Sequence, residues 1–405
     1  MKRHVLVVPP WTEDEYIASM KPAFKQKMYR RVYENYLQDG RVPSVVQPFT
    51  KIEKLKTSKY KAPRMIQARH PMFNIKFGRF IKALEHASIA HKKIGRHLGK
   101  GTTDQIAKKL QYLARKYPYY TEGDHKAFDA HVTIEQKRHL HKFYQSCFKH
   151  NAELRSLANR TIYNRCYTLH GDKWLVGGTV MSGDVDTSFG NCRINQAILD
   201  NMLFDFKIKG EVIVNGDDFV IFSEAPIPTE QAITYLLTHN MECELQPSTQ
   251  IITDVSFCGS KLVISEAGEP TLLRDMRKNI DTYGMTHRIM VSRDQYLKDL
   301  ATCYAYMEAH NPIGHAFATA FKIDVDPKAI PSLDTLETKL QYKMSTLAIT
   351  HKSTGQITDS MYRAMPDIDD IIAIIHRLPY HVQERSNPPP LSIFIDHDHE
   401  QLVLK

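Results

Sequence analysis

The chain has no Cys-x-x-Cys pair. Its six cysteines, Cys147, Cys166, Cys192, Cys243, Cys258 and Cys303, are scattered. That spacing argues against both a disulfide scaffold and a zinc site, and it fits reduced thiols in a cytosolic setting. No stretch approaches the ~20 apolar residues of a membrane span, so none is expected. The most apolar short run late in the chain, Ile371 to Ile375, is bracketed by Asp369-Asp370 and His376-Arg377 and suits a buried helix turn. The start lacks a continuous apolar core before Glu13-Asp14-Glu15, so no secretory signal is expected either. Internal repeats are absent. The text GRHLGKGTT at 95–103 has the wrong spacing for a phosphate-cradling P-loop, because Gly95 and Gly99 are too close and Gly101 follows Lys100.

What is present is ordinary in bulk and uneven in detail. At 405 residues, two or three domains or subdomains are expected. A hydrophobic content of 42% provides a sizeable core, and a net charge of +9 makes a polyanionic partner plausible. Residues up to Gly40 read as helical and basic, until Pro43 and Pro48 break the pattern. From 51 to 86 the spacing looks strand-like, and Lys51, Lys54, Lys56, Lys59, Lys61, Arg64 and Arg69 form a cationic row without matching acids. Such a row suits triphosphate and backbone contacts, where Arg offers a planar fork and Lys a point charge.

The most informative stretch is EVIVNGDDFVIF at 211–222. Two β-branched or aromatic runs around Asn215-Gly216 predict a tight hairpin. Alone, Gly-Asp-Asp is also a common solvated turn. Yet Asp217 and Asp218 repel each other at the tip of an apolar hairpin, an arrangement that cations would relieve. Upstream, YYTEGDHKAFDAHV at 119–132 ends a strand near Asp124 and places Asp129 one short turn later; His125 and His131 read as structural. Residues 168–180 read as a hairpin about Gly171-Asp172. In MSGDVDTSFGNCRINQ, Ser182-Gly183 form a flexible entry, and Thr187, Asn191 and Asn195 share one face of the following helix. Helices are expected over 104–116, 133–144 and 229–239. A hairpin over 255–264 should turn at Gly259-Ser260, and helical patterns dominate from Glu266 on. The tail with Asp396, His397, Asp398 and His399 reads as a solvated terminus.

The order of these elements resembles the palm of positive-strand viral RNA-dependent RNA polymerases: Asp-x4-Asp, then Ser-Gly-x3-Thr-x3-Asn, then Gly-Asp-Asp, then FCGSK at 257–261. KAPRMIQAR, continuing into FNIKFGRFIKALE, resembles the basic motif F of the fingers. The wording of DHKAFDAHV and SGDVDTSFGN is most similar to tombusvirus-like enzymes of the flavivirus-related supergroup. The resemblance spans about 51–264. It implies an α+β right hand, with fingers over 1–118 and 136–175, palm over 119–135 and 176–265, and a mainly helical thumb over 266–405. It further implies that Asp124, Asp217 and Asp218 are catalytic and hold two magnesium ions, with manganese as a substitute. Asp129 and Asn191 would read the ribose 2′-hydroxyl with help from Ser182 and Thr187. Lys61, Arg64 and Arg69 would meet the triphosphate; Lys51, Lys54, Lys56, Lys59 and Gly183 would meet RNA. The partners would be template and nascent RNA, NTPs and a separate membrane-anchoring viral protein, in host cytoplasm. Two positions depart from the pattern: Glu242 stands where a lysine is expected, with His239 as a substitute, and Asp186 where asparagine is common. A non-catalytic RNA-binding factor and a reverse transcriptase remain as alternatives; the intact acids oppose the first and the ribose-reading pair the second.

Overall fold

The computed structural model describes residues 1, 4–21, 23–53, 62–286, 292–346 and 351–384. Lys54, Lys56, Lys59, Lys61 and the acidic-histidine tail lie outside them. The fold is mixed α/β. Its strands in chain order are β1 Val46–Thr50, β2 Met65–Arg69, β3 Tyr119–His125, β4 Tyr163–Tyr167, β5 Lys173–Gly177, β6 Gly210–Asn215, β7 Asp218–Ser223, β8 Cys243–Leu245, β9 Ser256–Phe257, β10 Ser260–Ile264 and β11 Pro270–Arg274.

The central sheet runs β6-β7-β3-β8 and is antiparallel throughout. The hairpin strands β6 and β7 are continuously apolar because both faces are covered. Val212, Val214, Phe219 and Ile221 enter one core, with Phe77 and Phe80 of the helix Pro71–Ala90 and Cys192 and Leu199 of the helix Thr187–Asp205. The alternating residues Ile213, Val220 and Phe222 enter a second core, with Leu110 and Leu113 of the helix Thr103–Lys116 and with Phe257 and Leu262. The period-2 geometry of a strand assigns each side chain to its core.

Two smaller sheets flank this one. One runs β2-β1-β4-β5, with β1 and β4 parallel and the other pairs antiparallel. The other runs β11-β10-β9. Beyond it a separate core collects the helices Arg293–Met307, Pro312–Ala320, Asp359–Ala364 and Ile368–Glu384 and takes in Val263 and Leu273 of the last sheet. Ile371 and Ile375 are buried there, as the apolar run suggested. Among the described residues, no helix is long and apolar enough to cross a membrane. All six cysteines are free thiols.

Several local expectations needed correction. Among the described residues of 51–86, the strand-like reading holds only for β2. Pro71–Ala90 is a 20-residue helix: Pro71 sits in its first turn, the His70 ring accepts from Met72 N, and buried Met72, Phe73, Ile75, Phe77, Phe80, Ile81 and Leu84 recur at helical spacing. Nor are the cations unmatched. Arg64 pairs with Glu53, Lys76 Nζ lies 2.6 Å from Glu13, and Arg79 pairs with Glu153. The hairpin after residue 255 turns at Cys258-Gly259, both at positive φ, one residue earlier than read. The stretch after Glu266 begins with a strand, β11, reached through a turn at Gly268, before helices take over. The hairpin near 170 starts earlier, at Tyr163.

Gly123 sits directly opposite Phe219, one residue before Asp124. A Cβ there would lie 2.2 Å from the Phe219 ring. Gly123→Ala is therefore expected to lower unfolding free energy by about 1–3 kcal/mol, measured by urea denaturation. An unchanged midpoint would mean that the ring can swing clear.

Candidate active site

The three acids meet at one end of the central sheet. Asn215 pairs with Asp218, which makes Gly216-Asp217 the two-residue turn, with Gly216 at φ +72°. The turn is thus one residue later than the Asn-Gly reading, and Asp218 is the first residue of β7. Asp218 faces Asp124 directly across the β3–β7 ladder. Opposed like charges at one register position destabilise a sheet. Burial first, then Asp217 and Glu244, raise the Asp124 carboxyl. Burial, then Asp217 and Asp124, push Asp218 up to about 6. Among the described residues, no group of three or more His, Cys, Asp or Glu side chains is placed to hold a metal ion. The donor set nevertheless suits hard divalent cations, which take carboxylate oxygens and leave positions for substrate. Such a cation would remove the repulsion that both shifts report.

Polar bonds from neighbouring elements hold this end of the sheet. Asn195, fully buried in the helix Thr187–Asp205, accepts from His125 Nε2 at 3.0 Å through Oδ1 and donates to Gly216 O at 3.0 Å. One amide therefore ties the residue after Asp124 to the turn that carries Asp217. Burial lowers the His125 pKa, which favours the neutral ring. Cys192 Sγ accepts from Gly216 N at 3.1 Å. The glycine-rich loop rejected as a P-loop has a different task. Gly99 N donates to Val214 O at 2.8 Å, and Lys100 Nζ binds Ser188 Oγ at 2.6 Å and the Asn215 side chain. Sequence reasoning missed Lys100; its only signal was a cation between two glycines.

Asp129 follows Asp124 on a short turn, Phe128–His131, entered through Ala127 in the left-handed region. Asn191 Nδ2 donates to Asp129 Oδ1 at 2.6 Å, so the expected pair is brought together. Asn191 Oδ1 is buried without a partner, an unused acceptor beside that carboxylate. Thr187 and Ser182 serve the loop ahead of the helix. Thr187 Oγ1 donates to Met181 O and Asp184 O, both at 2.9 Å, and Ser182 Oγ accepts from Gln67 N at 3.1 Å. Gly183 N donates to Gln67 O, and a Cβ at Gly183 would lie 2.7 Å from that oxygen, so the loop needs glycine to lie on β2.

Arg69 is placed differently from a free phosphate ligand. Its guanidinium is buried, with Nε 2.5 Å from Asp184 Oδ1, Nη2 3.1 Å from Oδ2, and Nη1 donating to Ser44 O at 2.6 Å. It braces the loop 182–184 against β2. Lys51 and Arg64 stay near the surface beside Glu53, with Lys51 Nζ 3.6 Å away.

A family model for viral RNA dependent RNA polymerase matches residues 1–363. The chain belongs to this polymerase family. It is 28% identical over 312 residues to an RNA-directed RNA polymerase of Maize chlorotic mottle virus, covering 73% of this chain and 32% of the relative. It is 30% identical over 249 residues to that of Melon necrotic spot virus (56% and 32%) and 31% identical over 231 residues to that of Tobacco necrosis virus strain A (53% and 32%). The matched stretch thus spans about a third of each of these relatives.

The two departures from the polymerase pattern have local accounts. Glu242 pairs with Lys126 at 3.1 Å, and Glu244 with the same ammonium at 3.3 Å. His239 instead stacks on Tyr235 at 4.7 Å. Asp186 is buried, and burial with the neighbouring Asp184 pushes its carboxyl up to about 6. Its Oδ2 accepts from the Tyr144 hydroxyl at 3.3 Å.

Folding raises the Asp218 pKa from 3.8 to about 6, so the charged form is disfavoured in the folded state. The resulting destabilisation is absent below roughly pH 4 and complete above about pH 6. Two units correspond to about 3 kcal/mol; the partial solvent access of this group reduces that to about 1 kcal/mol. Without divalent ions, Asp218→Asn should therefore raise Tm at pH 8 and not at pH 4. Added magnesium should narrow the difference. Calorimetric melting at both pH values checks this, and an equal gain at pH 4 and pH 8 would contradict it.

Proposed function

We propose that this chain performs template-directed RNA synthesis from NTPs by two-metal nucleotidyl transfer, replicating a viral RNA genome. The observation that carries the reading is the register of Asp124 opposite Asp218, with Asp217 in the turn between β6 and β7. Bound at these carboxylates, two divalent cations, magnesium or manganese, would lower the pKa of an RNA 3′-hydroxyl and neutralise charge on the leaving pyrophosphate. Asp124 and Asp217 are the assigned ligands, with Asp218 as supporting acid.

The chain's own residues would select and place the substrate. Asp129, held by Asn191, accepts from the ribose 2′-hydroxyl, and the free Asn191 Oδ1 lies within the same pair. A deoxyribose offers no hydroxyl there, which favours RNA precursors. Lys61 and Arg64 are assigned to the triphosphate, while Arg69 positions the loop 182–184 from inside. Lys51, Lys54, Lys56 and Lys59 would follow the RNA backbone, where cations release condensed counterions. Gly183 lets that loop approach β2 and the template.

In this reading the chain is a right hand. Residues 1–118 and 136–175 are fingers, 119–135 and 176–265 palm, and 266–405 thumb. The boundary at 265 falls inside the β10–β11 hairpin, so the last palm sheet and the thumb share a strand pair. The substrates are template, nascent RNA and NTPs. A separate viral membrane-anchoring protein would hold the enzyme at replication complexes in host cytoplasm.

Two variants test this. With magnesium or manganese on a short template, Asp217→Asn should abolish NTP-dependent product and leave template binding within about twofold. Asn191→Ala should lower the preference for NTP over dNTP by about tenfold, the worth of one hydrogen bond. Equal product from native chain and Asp217→Asn would overturn the assignment.

A further inference from the structure

The hairpin β4–β5 presents a face that the active site does not use. On β4 the residues alternate between buried and exposed, so Asn164 and Cys166 point inward while Tyr163, Arg165 and Tyr167 point outward. Across the ladder Arg165 faces Leu175 and Tyr167 faces Lys173, which places all five side chains on one side. Tyr163 is 55% exposed and Leu175 64%. Lys173 Nζ stands 5.5 Å from the Tyr167 ring centroid. Among the described residues, no carboxylate pairs with Arg165 or Lys173. The single acid of the hairpin, Asp172, is bonded by Thr168 in the turn.

Large exposed rings on a sheet are unfavourable unless something covers them. Two unneutralised cations, Arg165 between the rings and Lys173 beside Tyr167, call for an anionic partner, and flat rings beside cations suit bases joined by phosphates. Tyr163 and Tyr167 lie about 13 Å apart along the strand, far enough to meet different nucleotides. The face is also continuous with the catalytic region: β4 adjoins β1, β1 pairs with β2, and β2 holds the loop 182–184. We infer that the outer face of β4–β5 is a stacking platform for single-stranded RNA outside the catalytic centre, taking the unpaired template strand. The inference rests on the polymerase reading for the source of that strand, and not for the binding itself.

Binding of an unstructured 20-nucleotide RNA to the full chain, followed by fluorescence anisotropy, tests it without any synthesis. Tyr163→Ala with Tyr167→Ala should weaken binding by at least about tenfold, and Tyr163→Phe with Tyr167→Phe should keep it, because stacking needs the ring alone. Arg165→Ala with Lys173→Ala should reduce the slope of log affinity against log salt by about 1.4. Extension of a primed hairpin with a two-nucleotide overhang should be unchanged in all three, which separates this platform from the acids; failure of the native chain to extend it would count against the polymerase reading alone. Unchanged RNA affinity in the double alanine variant overturns the inference. So would unchanged RNA affinity with lost binding to anionic vesicles or a lost dimer in sedimentation, which would assign the face to a membrane or a second copy.

Discussion

The acid-bearing end of the central sheet depends on holding like charges together. Asp124 and Asp218 occupy one rung of a ladder, and Asp217 hangs in the adjoining turn. Water would separate these groups. The fold prevents it by sealing the β6–β7 hairpin between two cores and pairing β3 with β7 from Tyr119 to Asp124. The hairpin cannot leave its place without exposing Val212, Val214, Phe219 and Ile221 on one side and Ile213, Val220 and Phe222 on the other. Hydrophobic burial of that size, about 1.5–3 kcal/mol per large side chain, outweighs repulsion of a few kcal/mol between partly solvated carboxylates.

Burial fixes the strands, and buried polar contacts fix the angles. Asn195 bonds both the His125 side chain beside one acid and the turn of another. Arg69 and Asp184 lock the loop 182–184 onto β2 with a buried two-pronged ion pair. Removing one partner of such a pair leaves an uncompensated charge, at a cost of about 3–5 kcal/mol. The geometry is therefore discrete. Polar contacts thus link β2, the loop 182–184, the helix Thr187–Asp205 and the turn Gly216-Asp217.

Much of the site was legible in the chain because its signals are local. An apolar run either side of Asn-Gly-Asp-Asp specifies a hairpin wherever it occurs, and Thr187, Asn191 and Asn195 share a helix face by arithmetic alone. The residues that escaped were those whose role depends on distant partners. Lys100 reaches Ser188 and Asn215 across 88 and 115 residues of sequence. Arg69 looked like a free cation until the fold supplied Asp184. The helix Pro71–Ala90 was misread because a cationic row with interspersed apolar residues satisfies period 2 loosely, whereas its Pro71 start and burial pattern satisfy period 3.6 closely. Strand β11 escaped because its pairing partner, not its own short sequence, makes it a strand.

If Asp124, Asp217 and Asp218 are held close in order to bind divalent cations, Mn2+ binds at them. Electron paramagnetic resonance of Mn2+ with the chain alone decides this. The free-ion signal should fall on adding native chain and stay near full height with Asp124→Asn combined with Asp217→Asn, both proteins being folded. Equal loss of signal with both chains would place the metal elsewhere and rule out this role for the acids.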